Sequence, residues 1–130
     1  MNKILVLSTQ ILALLLFLNC SKQRICNKMP KGVYSGAFTK ADGTILYDPN
    51  IQITEITESF MIINGSNISN NKCSIEGTIQ NMSLIYQGGP VSIKGKVDKS
   101  KGKYIIKGTF NTTQGPQAFP ISGNFEFKSN

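Results

Sequence analysis

The chain predicts an all-β fold, a small antiparallel meander barrel of about eight strands. Three observations lead there. Apolar and polar residues alternate with period two over most of the chain after Gly32, and helical periodicity is scarce. Gly, Asn, Asp and Pro clusters interrupt these runs at short intervals, as turns between strands require. Finally, the pattern apolar-x-Gly-x-apolar recurs five times, centred on Gly36, Gly77, Gly95, Gly108 and Gly123.

The first element differs from the rest. Lys3 and the terminal amine give a positive start, and Ile4–Leu7 and then Ile11–Leu18 supply an apolar segment broken by Ser8, Thr9 and Gln10. A membrane-spanning helix needs about 20 mainly apolar residues, so this block is too short to span. Residues 1–19 are expected to form a signal helix that is removed on export. Phe17-Leu18-Asn19-Cys20 then resembles the lipobox of bacterial lipoproteins, in the loose form used by spirochaetes. Phe17 and Asn19 depart from the strict pattern. The resemblance implies a diacylglyceryl group on the Cys20 thiol, cleavage before Cys20 and acylation of the new amine by a palmitate-type chain. It also implies a protein held on the cell envelope. Ser21 is compatible with sorting to the outer membrane. The alternative is an ordinary secretory signal that ends near a cysteine. Residues 20–32 follow as a basic tether carrying Lys22, Arg24, Lys28 and Lys31, either solvated or lying on anionic headgroups.

The β domain is expected over residues 33–130. Strands are read at Val33–Lys40, Thr44–Tyr47, Ile51–Ile56, Phe60–Ile63, Cys73–Gln80, Leu84–Tyr86, Pro90–Asp98, Lys103–Asn111 and Phe119–Lys128. Turns are placed at Ala41-Asp42-Gly43, Asp48-Pro49-Asn50, Asn64-Gly65, Gly88-Gly89-Pro90, Lys99–Gly102 and Gln114-Gly115-Pro116. The Asn- and Ser-rich stretch Ser66–Lys72 is expected to be the longest loop. Side chains alternate along a strand, so each recurring glycine shares a face with the apolar residues two positions away. A glycine weakens a strand interior, and five of them suggest inward positions where strands bend to close a narrow barrel. A two-layer sandwich with glycines at bulges is the alternative. Short meandering strands, Gly32-Val33-Tyr34 on the first of them and a lipid-anchored start resemble the small lipocalin-like lipoproteins of bacteria. Tyr34 stands where lipocalins carry tryptophan. This resemblance implies a barrel enclosing a small apolar ligand, with Tyr34, Phe38, Ile79, Tyr104, Phe110 and Phe125 lining the cavity.

Composition narrows the function classes. Lys and Arg number 14 against 7 Asp and Glu, and histidine is absent. Without histidine, Ser-His and Cys-His nucleophile systems are excluded within the chain. No cysteine or carboxylate spacing fits a metal site, and nothing suggests a cofactor. The expected role is non-enzymatic. Export places the chain in an oxidising compartment. With Cys20 lipidated, Cys26 and Cys73 are left as one possible disulfide; the alternative is a buried Cys73 and a free Cys26.

The strongest surface feature is the lysine cluster Lys94, Lys96, Lys99, Lys101, Lys103 and Lys107, all on one expected hairpin with Asp98 as its only acid. Alternation sends Lys94, Lys96, Lys103 and Lys107 to the outer face. They are either a solvated face that keeps the sheet soluble or a cationic patch for an anionic polymer or acidic protein. Nucleic acid is disfavoured, because aromatics are not regularly interleaved with these lysines and the expected compartment is wrong for it.

Overall fold

The computed structural model describes residues 25–82, 90–112 and 121–130. The expected signal segment, Cys20 and the expected strand Leu84–Tyr86 lie outside them, as does the turn at Gln114-Gly115-Pro116. Eight strands run in chain order: β1 Gly32–Lys40, β2 Ile45–Ile56, β3 Phe60–Ile63, β4 Ser66–Asn71, β5 Ser74–Ile79, β6 Val91–Ser100, β7 Lys103–Asn111 and β8 Ser122–Ser129. Each pairs antiparallel with the next, and β8 pairs with β1, so the sheet closes as a barrel in meander order. Of the two architectures the sequence left open, the barrel is the one formed.

Alternation supplies the core. Tyr34 and Phe38 on β1, Ile51 and Ile53 on β2, and Met61 and Ile63 on β3 all point inward and are buried. Phe110 on β7 and Phe125 and Phe127 on β8 meet them from the far side of the chain. Each such side chain stabilises the fold by about 1.5–3 kcal/mol when fully withdrawn from water. The ring of Phe38 sits at the centre, with centroids 5.2 Å from Phe110, 5.6 Å from Phe127 and 6.4 Å from Phe125.

The recurring glycines occupy the tight places in this packing. Gly95 and Gly108 face each other across β6 and β7. A Cβ on Gly108 would overlap the Lys94 carbonyl oxygen, and one on Gly95 would meet the Lys107 carbonyl oxygen at 2.6 Å and the Phe125 ring at 3.0 Å. A Cβ on Gly36 would meet Ile51 at 3.0 Å and Phe127 at 3.2 Å. The missing side chains thus let neighbouring strands approach closely at Gly95 and Gly108, and leave room for the Phe125 ring at Gly95 and the Phe127 ring at Gly36.

Two expected irregular segments are strand instead. Asp48-Pro49-Asn50 lies inside β2, joining what the sequence divided into two strands. Tyr34 pairs with Ile51 and Gly36 with Asp48, so Pro49 and Asn50 together oppose the single residue Ser35. This is a β-bulge, a place where a residue without an N–H is tolerated. Asp48 Oδ1 accepts the Asn50 N–H at 2.9 Å, giving turn-like local bonding without breaking the strand. Ser66–Lys72 is not a long loop: Ser66–Asn71 is β4, flanked by two-residue turns at Asn64-Gly65 and Lys72-Cys73. Ser66, Ile68 and Asn70 point inward and the buried polar pair is satisfied. Ser66 Oγ accepts the Gln80 N–H at 2.8 Å; Asn70 donates to the Thr57 carbonyl at 2.8 Å and accepts the Cys73 N–H at 3.2 Å.

The stretch expected to be a tether is docked from Ile25 onward. Cys26–Lys28 form one short 3-10 turn; Cys26 and Met29 are buried, and Ile25 packs against the core. Cys26 is disulfide-bonded to Cys73, with Cα atoms 5.5 Å apart. The Tyr34 hydroxyl donates to the Pro30 carbonyl at 2.6 Å. Strands β1 and β5 lie on opposite sides of an eight-strand circuit, so this segment straps across one mouth of the barrel.

Candidate functional site: a cationic outer face

The lysine hairpin forms as β6 and β7, joined by a two-residue turn at Lys101-Gly102. Both turn residues have positive φ, 53° and 79°. That is the twist a two-residue hairpin favours. Lys94, Lys96, Lys99, Lys101, Lys103 and Lys107 are all exposed. The hairpin separates them into two groups. Lys94, Lys96 and Lys107 stand on the outer wall at mid-height. Lys99, Lys101 and Lys103 gather at the turn, on the barrel's end, where Lys99 Nζ lies 5.1 Å from the centre of the Tyr104 ring.

Register around the barrel builds the wall site. One row of directly opposed, outward residues runs Tyr47, Ala37, Glu126, Lys107, Lys96, Ser74, Asn71, from β2 through β1, β8, β7, β6 and β5 to β4. The next row runs Thr39, Asn124, Thr109, Lys94, Glu76, Ser69. At the middle, Lys96 and Lys107 face each other. Like charges in direct opposition destabilise a sheet, and among the described residues neither of these lysines makes an ion pair. Glu126, beside Lys107, makes its ion pair with Lys128 at 3.1 Å.

The wall is hollowed. A depression of about 540 Å³ lies between β4 and β7 and includes Lys94, Lys96 and Lys107 in its lining. A second, of about 450 Å³, continues across β7, β8 and β1 and shares Lys107 and Thr109 with the first. A third, of about 290 Å³, shares Lys94 and Thr109 and adds Thr78, Ser92 and Asn111. The three form a continuous trough, floored by backbone at Gly95 and Gly108 and sided by lysines, hydroxyls, amides and the two carboxylates Glu76 and Glu126. Lysine ammonium groups here can meet anionic oxygens, while Ser, Thr and Asn can donate or accept in turn.

Sequence reasoning identified these lysines. It missed Glu76 and Glu126, which sit beside Lys94 and Lys107, and Tyr47, 66% exposed at the end of the first row. They come from distant strands, and only the register brings them together.

The residues expected to line an interior cavity are placed differently. Tyr34, Phe38, Ile79, Phe110 and Phe125 are buried and belong to one packed core, and Tyr104 is partly buried at its edge. Burial, with the nearby Tyr104 phenol as a smaller cause, pushes the Tyr34 phenol up to about 12. No known protein family, curated protein or solved structure matches the chain.

Proposed function

We propose that this protein is a lipid-anchored, non-enzymatic barrel of the bacterial cell envelope that contacts an anionic polymer through the trough over β6 and β7. The opposed Lys96–Lys107 pair is the observation that carries the reading. A sheet optimised only for stability would place opposite charges there. Lys94 lies beside the pair, and the trough gives an extended ligand a track wider than a single ion needs. The lipocalin-like alternative, a small apolar ligand inside the barrel, has only the closed meander in its favour. Its expected lining is occupied by mutually packed aromatic rings.

Two measurements test the reading. Lys94→Ala/Lys96→Ala/Lys107→Ala is expected to leave an immobilised sulfated polysaccharide at clearly lower salt than the parent. Equal elution would overturn the contact face. For the anchor, the full chain expressed in a lipoprotein-processing bacterium is expected to incorporate labelled palmitate and to remain with membranes. Cys20→Ser is expected to lose both properties. Membrane retention without label would overturn the lipid attachment.

A further inference from the structure

A closed antiparallel meander sorts its connections between two ends. Here one end collects the strap at residues 25–31, the β2–β3 corner, the Lys72-Cys73 turn, the Lys101-Gly102 turn and the last residues after β8. Hydrogen bonds tie these parts to the strands around them. Cys73 accepts from Val97 N–H through its carbonyl at 2.9 Å, and Ser129 Oγ accepts from Tyr104 N–H at 3.1 Å.

Charge follows the same division. Lys28, Lys31, Lys72, Lys99, Lys101 and Lys103 are exposed on the strap and turns of this end. The acids there are Glu55 and Glu58 at the β2–β3 corner and Asp98, whose Oδ1 accepts the Lys99 N–H at 2.7 Å. Among the described residues, the opposite end carries Lys40 and Asp42. Among the described residues, one end is therefore cationic and the other nearly neutral.

We infer that the cationic end is a seat for an anionic membrane surface, with the barrel standing upright on lipid headgroups. The orientation rests on the proposed anchor, while the headgroup attraction does not. The disulfide fixes the strap at Cys26, and Ile25 is already packed on the core. Four residues, or five Cα–Cα steps, separate Cys20 from Ile25. Fully extended, they span at most about 18 Å. An acyl chain on Cys20 thus keeps this end within about two Debye lengths of the bilayer. Within that reach the end can approach to less than a Debye length, where lysines are attracted to an anionic surface. The trough runs around the wall from β4 to β1, so it then opens sideways rather than toward the bilayer. The six lysines found on one hairpin divide their work: the turn group faces lipid, and the wall group faces the polymer.

The experiment uses the chain from residue 20 onward with Cys20→Ser, which carries no acyl chain. The described residues from Ile25 onward form one core, so this protein is expected to fold. Flotation with phosphatidylcholine vesicles is expected to leave it in solution. Vesicles that also contain phosphatidylglycerol are expected to carry it up at low salt and release it at high salt. Lys99→Gln/Lys101→Gln/Lys103→Gln is expected to lower that partition about tenfold or more. Lys94→Gln/Lys96→Gln/Lys107→Gln is expected to change it less than about twofold. Lys72→Gln adds a second variant, on a different turn, and is expected to reduce partition as well. Parent binding that ignores vesicle charge, or an equal loss from both triple variants, would overturn the seat. Because no acyl chain is present, this outcome is independent of whether Cys20 is lipidated. The separate wall variant distinguishes it from failure of the polymer face.

Discussion

At the scale of single residues, the barrel depends most on atoms that are missing. Gly108 lies so close to β6 that any Cβ there overlaps the Lys94 carbonyl. A backbone group cannot swing aside as a flexible side chain can. Gly108→Ala is therefore expected to destabilise by about 3 kcal/mol or more, read as a fall in the urea midpoint. Gly43, at φ 89° in the β1–β2 turn, has nothing within 4 Å of its hypothetical Cβ. Gly43→Ala is expected to lose only about 1–2 kcal/mol, the strain of a left-handed alanine. A larger loss at Gly43 than at Gly108 would contradict the close strand approach. Tyr34 gives a second, pH-dependent handle. Its phenol has a raised pKa, about 12 against an ordinary 10.0, because burial disfavours the phenolate. Below pH 10 the phenol is neutral in folded and unfolded chains alike, and its contribution is intact. Between pH 10 and 12 the unfolded chain ionises first, and stability falls by at most about 3 kcal/mol. Tyr34→Phe is expected to flatten that part of the alkaline profile, while also losing the hydrogen bond to Pro30 at every pH.

At the scale of elements, the strap is the piece whose contribution is easiest to isolate. Its disulfide joins residues 47 apart. Closing a loop of that length removes unfolded-chain entropy worth about 4 kcal/mol in the simple chain model. Cys26→Ser/Cys73→Ser is expected to shift equilibrium unfolding by about that amount, and to make the Ile25–Lys31 amides exchange with solvent well before those of β7. An unchanged midpoint would mean that packing of Met29 and the Tyr34–Pro30 bond already hold the strap. The strap also shows why the sequence was legible in some places and not in others. Strands such as β1, β6 and β7 announce themselves, because large apolar side chains alternate with polar ones and turn residues close each run. β4 does not, because two of its three inward positions are Ser66 and Asn70. Their partners, Gln80, Thr57 and Cys73, lie in the connections around it, so composition alone reads as loop. Asp48-Pro49-Asn50 misleads for the opposite reason: it has turn chemistry, used here to form a bulge within a strand. The wall lysines could be assigned by alternation within one hairpin. Glu76, Glu126 and Tyr47 required a register across six strand pairs, and the cationic end required knowing that the number of strands is even.

For the whole molecule, closure decides how the fold comes apart. An open sheet or a two-layer sandwich can lose an edge and keep the rest. In this barrel β8 completes the circuit by pairing with both β1 and β7. Phe38, fully buried on β1, touches rings from β7 and β8. The same side chain therefore belongs to the first strand of the chain and to the seam that its last strands form. Phe38→Ala is expected to cost about 3–5 kcal/mol, a large share of the about 5–15 kcal/mol available to a domain of this kind. More telling is the shape of the transition. If the seam is integral to one core, the variant still unfolds in a single step, with far-ultraviolet and near-ultraviolet circular dichroism giving the same midpoint. If β8 and β1 instead close loosely over a self-sufficient half-barrel, tertiary signal is lost first and strand signal later. Coincident midpoints in both parent and variant are the expected result, because Phe110, Phe125 and Phe127 have no separate core to retreat into once the Phe38 ring is removed.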